Sequence, residues 1–423
     1  VAVVDVAVVG AGPAGTAAAI ELARAGLDVV VLDRAVFPRD KCCGDGLTTA
    51  ALRHLERLGL QPSTVASWQP VDACWVRSPS GRVVELPFAP GTTCAAVARR
   101  TDLDAALVDL ARGAGAVVCE GRAVAGARWS DDAVTVEAPG GAPVTARYVI
   151  GADGAWSAVR KALGLGEPGY LGEWHAARQY VAVEGPPAMW VWFEPDLLPG
   201  YGWSFPVGDG QANVGFGVLR RPGAAVPATA QRWAELVGAP HVRAALGDVA
   251  PAGGNGRTAA VRAWPIPARL ARTVVTGAAG RALFAGDAAR AADPMTGEGI
   301  AQALETGAAA ARAIVRAGPR RPGAAAAAYE RWLGGGMAID HRLAAALSRV
   351  LASERGARVA VRASGLTAWE RRQFARWLFE DYPRALLATP WRWPPGTRTG
   401  GPAHLAHGAI WPRSAHTAPS ASR

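Results

Sequence analysis

Lysine is almost missing from this chain of 423 residues: Lys41 and Lys161 are the only two among 45 basic side chains. The formal charge of +10 is therefore an arginine charge. A basic surface can serve nucleic acid or anionic lipid, but arginine bias beside 51 glycines and 31 prolines matches the coding preference of a GC-rich genome. No nucleic-acid-binding module accompanies it, so no nucleic-acid partner is expected. Cysteine is scarce as well. Cys42, Cys43, Cys74, Cys94 and Cys119 are odd in number and two are adjacent, which fits neither a disulfide framework nor a metal-ligand spacing. The expectation is a reducing cytoplasm and no bound metal. No apolar stretch free of charges and helix breakers reaches the ~18 residues of a spanning helix. The apolar start from Val1 to Val9 contains Asp5 and leads into a glycine turn, so it reads as a strand and not as a secretion signal.

What is present is a globular balance, 50% hydrophobic and 19% charged, over a length that suits two domains. Val3 to Val9 is an apolar run of the kind buried on both faces of a parallel sheet. Gly10-Ala11-Gly12-Pro13-Ala14-Gly15 follows as a turn, Thr16 to Ala25 favours helix, and Leu27 to Leu32 forms a second strand ending at Asp33. This is a GxGxxG in its dinucleotide-binding context, with the acidic residue 23 positions after the first glycine, close to the ~20 expected. Gly10 permits the tight turn, Gly12 lets a pyrophosphate approach the backbone, and Gly15 lets helix and strand close up. The helix N-terminus offers free N–H groups to phosphate. Asp33 accepts ribose hydroxyls and would repel a 2′-phosphate, which argues against NADP in this pocket. Ala14 and Arg34 lie within the same expected binding set.

Downstream, helices are predicted at Leu47–Leu58 and Thr101–Arg112, and strands at Ala73–Arg77, Val83–Leu86, Ala133–Glu137 and Val144–Ile150. From about 166 to 274 the texture turns to aromatic strands, and at Arg281–Gly286 a buried strand returns, followed by a helix from Ile300 to Ala317. The expected architecture is α/β: a Rossmann-type domain of residues 1–165 and 275–320, interrupted by an antiparallel-sheet substrate domain over 166–274. A helical region over 321–385 and a flexible tail over 386–423 complete it.

Two further segments bear on the dinucleotide. Gly151-Ala152-Asp153-Gly154-Ala155-Trp156-Ser157-Ala158-Val159-Arg160 resembles the DG fingerprint of FAD-dependent hydroxylases, and Ala285-Gly286-Asp287-Ala288-Ala289 resembles their second fingerprint. The resemblance implies FAD, with Asp287 holding the flavin-side ribityl or ribose and Arg100 reaching the phosphates (Arg99 is the alternative). Within that superfamily, Phe37-Pro38-Arg39-Asp40-Lys41-Cys42-Cys43-Gly44-Asp45-Gly46-Leu47 resembles a segment of the geranylgeranyl reductase family. Tyr201-Gly202-Trp203-Ser204-Phe205-Pro206 is similar to that family's YxWxFP signature, and Asp293-Pro294-Met295-Thr296-Gly297-Glu298-Gly299-Ile300 to its flavin-proximal loop.

That resemblance implies saturation of isoprenoid double bonds by reduced FAD, with Gly297, Gly299 and Ile300 beside the flavin ring. Cys43 stands at the motif cysteine, where it either delivers a proton or packs; Tyr201 and Trp203 are the other candidate catalytic residues. A long hydrocarbon calls for an apolar channel, for which Trp190, Trp192, Phe193, Tyr201, Trp203 and Phe205 are candidates. Alternation puts Tyr201, Trp203 and Phe205 on one face. The rivals are a flavin monooxygenase acting on an aromatic or polyketide and a flavin-dependent halogenase. The absence of lysine from 42 to 160 counts against the halogenase. The electron donor is NADPH, ferredoxin or a flavin reductase. Arginine- and tryptophan-rich C-terminal helices suggest peripheral contact with the inner face of the cell membrane.

Overall fold

The computed structural model describes residues 3–88, 93–185, 187–220, 229–251, 260–380 and 382–392. In chain order, the elements that position the site begin with β1 (Val3–Val9), α1 (Pro13–Arg24), β2 (Val29–Leu32), β3 (Gly46–Thr48) and α2 (Thr49–Leu58). Next come β4 (Ala73–Arg77), β5 (Val83–Pro87), α3 (Arg100–Gly113), β6 (Val117–Cys119) and β7 (Val144–Gly151). A second block holds β8 (Trp174–Ala182), β9 (Met189–Trp192), β10 (Tyr201–Gly208), β11 (Gln211–Leu219) and β12 (Arg262–Ile266). The chain then returns through β13 (Ala282–Phe284) to α4 (Ile300–Ala317), α5 (Pro322–Gly335), α6 (Met337–Leu351), α7 (Glu354–Ser364) and α8 (Ala368–Phe379).

The first sheet runs β13-β7-β1-β2-β6 with all four pairings parallel. β13 enters it from residue 282 beside β7, so this sheet is discontinuous in sequence. Its strands are buried by α1, α3 and α4, whose alanine-rich faces join Val6, Val8, Val31, Ile150 and Phe284 in one core. The predicted α1 starts late: Pro13 occupies the first turn, where its missing N–H is no loss. The helix expected from Leu47 begins at Thr49, because Gly46–Thr48 pairs instead with Ala95–Val97.

The second sheet is mostly antiparallel, in the order β8-β11-β10-β9-β4-β5, with β12 on β8. Two of its strands, β4 and β5, come from residues 73–87, ahead of the aromatic block; β4 runs parallel to β9. One face of this sheet packs against α7 and α8 through Val76, Leu86, Met189, Val361 and Phe374. The other face, with Trp192, Val214 and Phe216, packs under the helices Thr229–Gly238 and Pro240–Leu246. The expected tail begins with Leu386–Ala388 and Pro390–Arg392, where Arg392 pairs with Asp340 at 2.6 Å. Residues 393–423 lie outside the described residues.

Candidate active site

A single cavity of about 880 Å³ runs from the glycine turn across the parallel sheet's carboxyl edge and on under the second sheet. At its nucleotide end the turn is held by close contacts that no side chain would permit. Gly10 has φ +101, and a Cβ on Gly15 would sit 1.7 Å from the Gly10 carbonyl oxygen. Gly12 differs: a Cβ there meets only the guanidinium groups of Arg39 at 3.6 Å and Arg100 at 4.0 Å. Both cations lean on one fully buried carboxylate. Arg100 donates twice to Asp104, at 2.8 and 2.7 Å, and Arg39 pairs with it at 2.9 Å. The cradle therefore keeps a net positive charge in front of the α1 N-terminus, which has no side-chain cap. Arg99 is directed elsewhere, to Gln211 at 2.7 Å and over the Tyr180 ring.

Asp33 accepts N–H bonds from Ala11 at 2.6 Å and Ala35 at 2.7 Å, so its carboxylate braces the glycine turn while lining the cavity. Arg34 is exposed on the cavity rim. Ala14 lies on the wall where α1 approaches Gly286. Asp153 accepts from the Val159 N–H at 3.1 Å, and its Oδ1 is buried with no partner among the described residues. Burial raises its pKa above the usual carboxylate value. Asp287 pairs with Lys41 at 3.5 Å, and that ammonium rests 4.5 Å from the Trp264 ring centroid. The cavity thus collects Gly10, Gly12, Asp33, Asp153, Asp287 and Gly299 from five separate chain segments.

Where the two sheets meet, Asp45 organises the wall. It is fully buried, adopts φ +64, and accepts from the Tyr180 hydroxyl at 2.6 Å and from Asn213 Nδ2 at 2.8 Å. Asn213 also donates to the Cys43 carbonyl at 2.7 Å and accepts from Trp203 Nε1 at 3.1 Å. Cys43 and Trp203 are therefore linked through one amide. The Asp45 N–H points to Cys43 Sγ at 3.4 Å. Burial pushes the Cys43 thiol up, against the nearby Arg100, so the sulfur holds its proton. Cys42 lies outside this network, with its thiol on the Arg262 carbonyl and raised by burial to about 11.

The loop Asp293–Gly299 forms the cavity's third side. Asp293 Oδ1 accepts from the N–H groups of Met295 at 2.8 Å and Thr296 at 2.9 Å, while Arg384 pairs with Oδ2 at 3.1 Å. Burial opposes ionisation of Asp293, yet Arg384 and these N–H groups hold its pKa below the usual carboxylate value. Gly297 has φ +69, and Gly299 caps α4 without any side-chain bond, leaving the first-turn N–H groups of Ile300 and its successors for a ligand. Tyr201 donates its hydroxyl to the Thr296 carbonyl, which ties β10 to this loop.

Beyond the loop the cavity is hydrocarbon. Tyr201, Trp203 and Phe205 share a face with ring centroids 6.1 and 6.2 Å apart in succession, and all three line it. Phe193, Met189 and Val191 also do, and Phe374, Trp377 and Leu378 of α8 roof it. Trp190 and Trp192 do not. Strand alternation turns them to the far face, where they stack on each other and Trp192 is fully buried in one core with Leu236. Asp45 and Glu298 stand inside segments quoted above but were not among the expected site residues, and neither was Asn213, although Asn213-Val214-Gly215 follows the YxWxFP signature; an acidic residue between two glycines was the signal for the first two. Arg384 gave none, being 91 residues from Asp293.

A dinucleotide suits these residues: an unobstructed Gly12, two arginines at a helix N-terminus, an unpartnered buried carboxylate oxygen and an uncapped second helix. Comparison with known proteins agrees. The FAD binding domain family matches residues 3–317. The menaquinone reductase of Mycolicibacterium smegmatis is 38% identical over 350 residues, spanning 74% of this chain and 77% of that one. Digeranylgeranylglycerophospholipid reductase 1 of Methanopyrus kandleri is 32% identical over 335 residues, 74% of this chain and 80% of that one. A geranylgeranyl bacteriochlorophyll reductase-like protein from Thermoplasma acidophilum shares the fold, with TM-score 0.75 and 23% identity over 92% of this chain and 98% of that one. The chain belongs to this FAD-binding family, among the geranylgeranyl reductases that its motif segments resemble, and it binds FAD.

Proposed function

We propose that this chain saturates carbon–carbon double bonds of an isoprenoid chain, either in a geranylgeranyl lipid or in the tail of an isoprenoid quinone. The observation that carries the reading is the continuity of the cavity: a charged nucleotide cradle opens directly into an aromatic and aliphatic arm. Such an arm accepts a hydrocarbon by burying its surface and offers few polar groups to orient anything else. The named activities of the two reductase relatives point the same way. FAD when bound supplies the hydride. The Arg39–Asp104–Arg100 cluster holds its phosphates, Gly297 and Gly299 admit its ring, and the face of Tyr201, Trp203 and Phe205 covers the reacting bond and keeps water out. Electrons reach the cofactor from NADPH, ferredoxin or a flavin reductase.

Peripheral membrane contact belongs to the same reading. No helix among the described residues is long and apolar enough to cross a membrane. The helices that roof the apolar arm, with the turn between the last two, however expose Val350, Val359, Leu366 and Trp369. Arg349, Arg355, Arg362 and Arg371 stand among them and form no ion pair among the described residues. Exposed apolar side chains among free arginines suit an anionic bilayer. Co-sedimentation with anionic but not zwitterionic vesicles, lost in Trp369→Ser with Leu366→Ser, is the expected result; equal pelleting of the variant would end the idea. The activity itself is tested by reducing the bound FAD anaerobically and adding the unsaturated lipid. Reoxidation with a gain of two hydrogens per bond supports a reductase. Reoxidation only on admitting oxygen, with oxygen in the product, would establish a monooxygenase instead.

A further inference from the structure

Saturating one double bond breaks the π bond and forms two C–H bonds. The electron pair arrives with one hydrogen as hydride, from reduced FAD, which is thereby oxidised. The other hydrogen must come as a proton from the cavity wall. Tyr201 has a single hydroxyl proton, and that is committed to the Thr296 carbonyl. Cys43 sits on the Arg100 and Asp45 side, with its sulfur receiving the Asp45 N–H. Glu298 stands differently. Its Oε1 accepts from Thr48 Oγ1 at 2.5 Å, and its Oε2 takes no hydrogen bond among the described residues, lying 4.0 Å from Arg384. The carboxyl lines the cavity one residue before the cap of α4, on the loop that Tyr201 contacts.

We propose that Glu298 is the general acid of the reaction, giving the proton on Oε2 to the carbon that does not receive the hydride. The O–H bond breaks, a C–H bond forms, and the carboxylate left behind regains a proton from water once the product has gone. This rests on the isoprenoid-reductase reading above.

The surroundings suit both states of the group. Burial raises its pKa to about 7, aided by Asp293 on its own loop and opposed by Arg384 beyond α8 and Thr48 at the end of β3. Tyr201 from β10 faces the same carboxyl, and His341 from α6 stands behind it beside Asp293 and Arg384; both are uncharged near neutrality because burial raises the phenol and lowers the imidazole. A hydrocarbon filling the arm removes the remaining water and pushes the carboxyl further towards its protonated form, so substrate arrival loads the acid. After transfer, the new carboxylate has Arg384 and the positive end of α4 beside it.

The test uses Glu298→Gln, which keeps the Thr48 bond and loses the acidic proton. In the FAD-loaded enzyme, single-turnover oxidation by a menaquinone with an unsaturated tail should fall roughly a hundredfold or more at pH 6.5. The wild-type decline, displaced to the alkaline side of pH ~7 by the bound hydrocarbon, should vanish in the variant, with FAD retention and the menaquinone KM unchanged. In the cofactor-free protein, infrared difference titration should show carboxyl intensity lost across pH ~7 in wild type, and the Glu298 share of it should be missing from the variant, while the shares of Glu305 and Asp45, both also raised by burial, remain in both proteins. Retention of the rate and its decline in Glu298→Gln, or transfer of that effect to Cys43→Ser, overturns the proposal, as does a carboxyl band unaffected by the substitution. If wild type reduces no isoprenoid, the functional reading fails, and the infrared titration still decides whether Glu298 holds a dissociable proton near neutrality.

Discussion

Replacing Asp45 with asparagine should make the protein relatively more stable as the pH rises. Asp45 is fully buried, and burial lifts its pKa from 3.8 to about 6, against the opposing pull of Tyr180, Arg178, Asn213 and Arg100. The folded chain thus holds this proton more tightly than the unfolded chain does. Its contribution to stability is complete below pH ~4 and is lost as the pH climbs through ~6. A displacement of about 2 units corresponds to about 3 kcal/mol. Asparagine does not titrate, tolerates the left-handed backbone at φ +64, and its carbonyl can still accept from Tyr180 and Asn213. Whatever constant cost the amide brings cancels when two pH values are compared. Equilibrium urea unfolding of both proteins, saturated with FAD, at pH 4 and pH 8 measures the effect. The stability difference between variant and wild type should move by about 3 kcal/mol in the variant's favour between the two. An unchanged difference would refute the claim that burial dominates at Asp45; movement the other way would mean that the anion is the favoured form.

The glycine turn separates folding from cofactor binding. Gly12→Val should leave the circular dichroism spectrum unchanged while abolishing flavin absorbance in the purified protein, since its Cβ meets no backbone. Gly15→Ala should instead lower expression and thermal midpoint, because its Cβ would collide with the Gly10 carbonyl at 1.7 Å. Trp203→Ala should keep FAD but lose turnover, as it opens the apolar arm and frees Asn213 from its indole bond; loss of flavin colour would move Trp203 to the cofactor's side. Arg384→Leu leaves Asp293 buried without its cation and should cost about 3–5 kcal/mol in urea unfolding at pH 7. That loss should shrink in acid as Asp293 protonates, because its pKa lies below the usual carboxylate value.

Local signals carried the nucleotide half. An apolar strand, a glycine turn and an acidic strand end lie within a short span, and the physics that couples them is local too. Period-two alternation was equally legible in Tyr201, Trp203 and Phe205, because one β-strand suffices to decide it. The same rule, applied to Trp190 and Trp192, would have shown that they face away from Phe193; counting aromatics without assigning faces put them in the channel. Pairings distant in sequence stayed invisible. Nothing local to Ala73–Arg77 announces that it lies parallel to Met189–Trp192, and nothing near Arg384 announces Asp293. Asp45 was hidden for another reason: its role depends on Tyr180 and Asn213 from two paired strands, β8 and β11, which bring it partners only after the second sheet has formed.

The lysine deficit with which the chain presents itself has a counterpart in the site. Arg39, Arg100, Arg178 and Arg384 each bear on a carboxylate that is buried or partly buried, two of them sharing Asp104. A guanidinium keeps its charge when buried and offers several donors in a fixed plane, so it can hold a carboxylate and still present N–H groups to something else. Arg100 does this at Gly12, and Arg384 does it between Asp293 and the carbonyls of Trp377 and Leu378. A lysine has three donors, but all on one compact ammonium that loses its proton more readily on burial, so it cannot span partners set as far apart as the two ends of a guanidinium. The arginine bias of the composition therefore supplies what this site requires: cations that brace a carboxylate and keep donors for a second group at once. The one lysine that lines the cavity, Lys41, stands where a single partner, Asp287, and an aromatic face are enough.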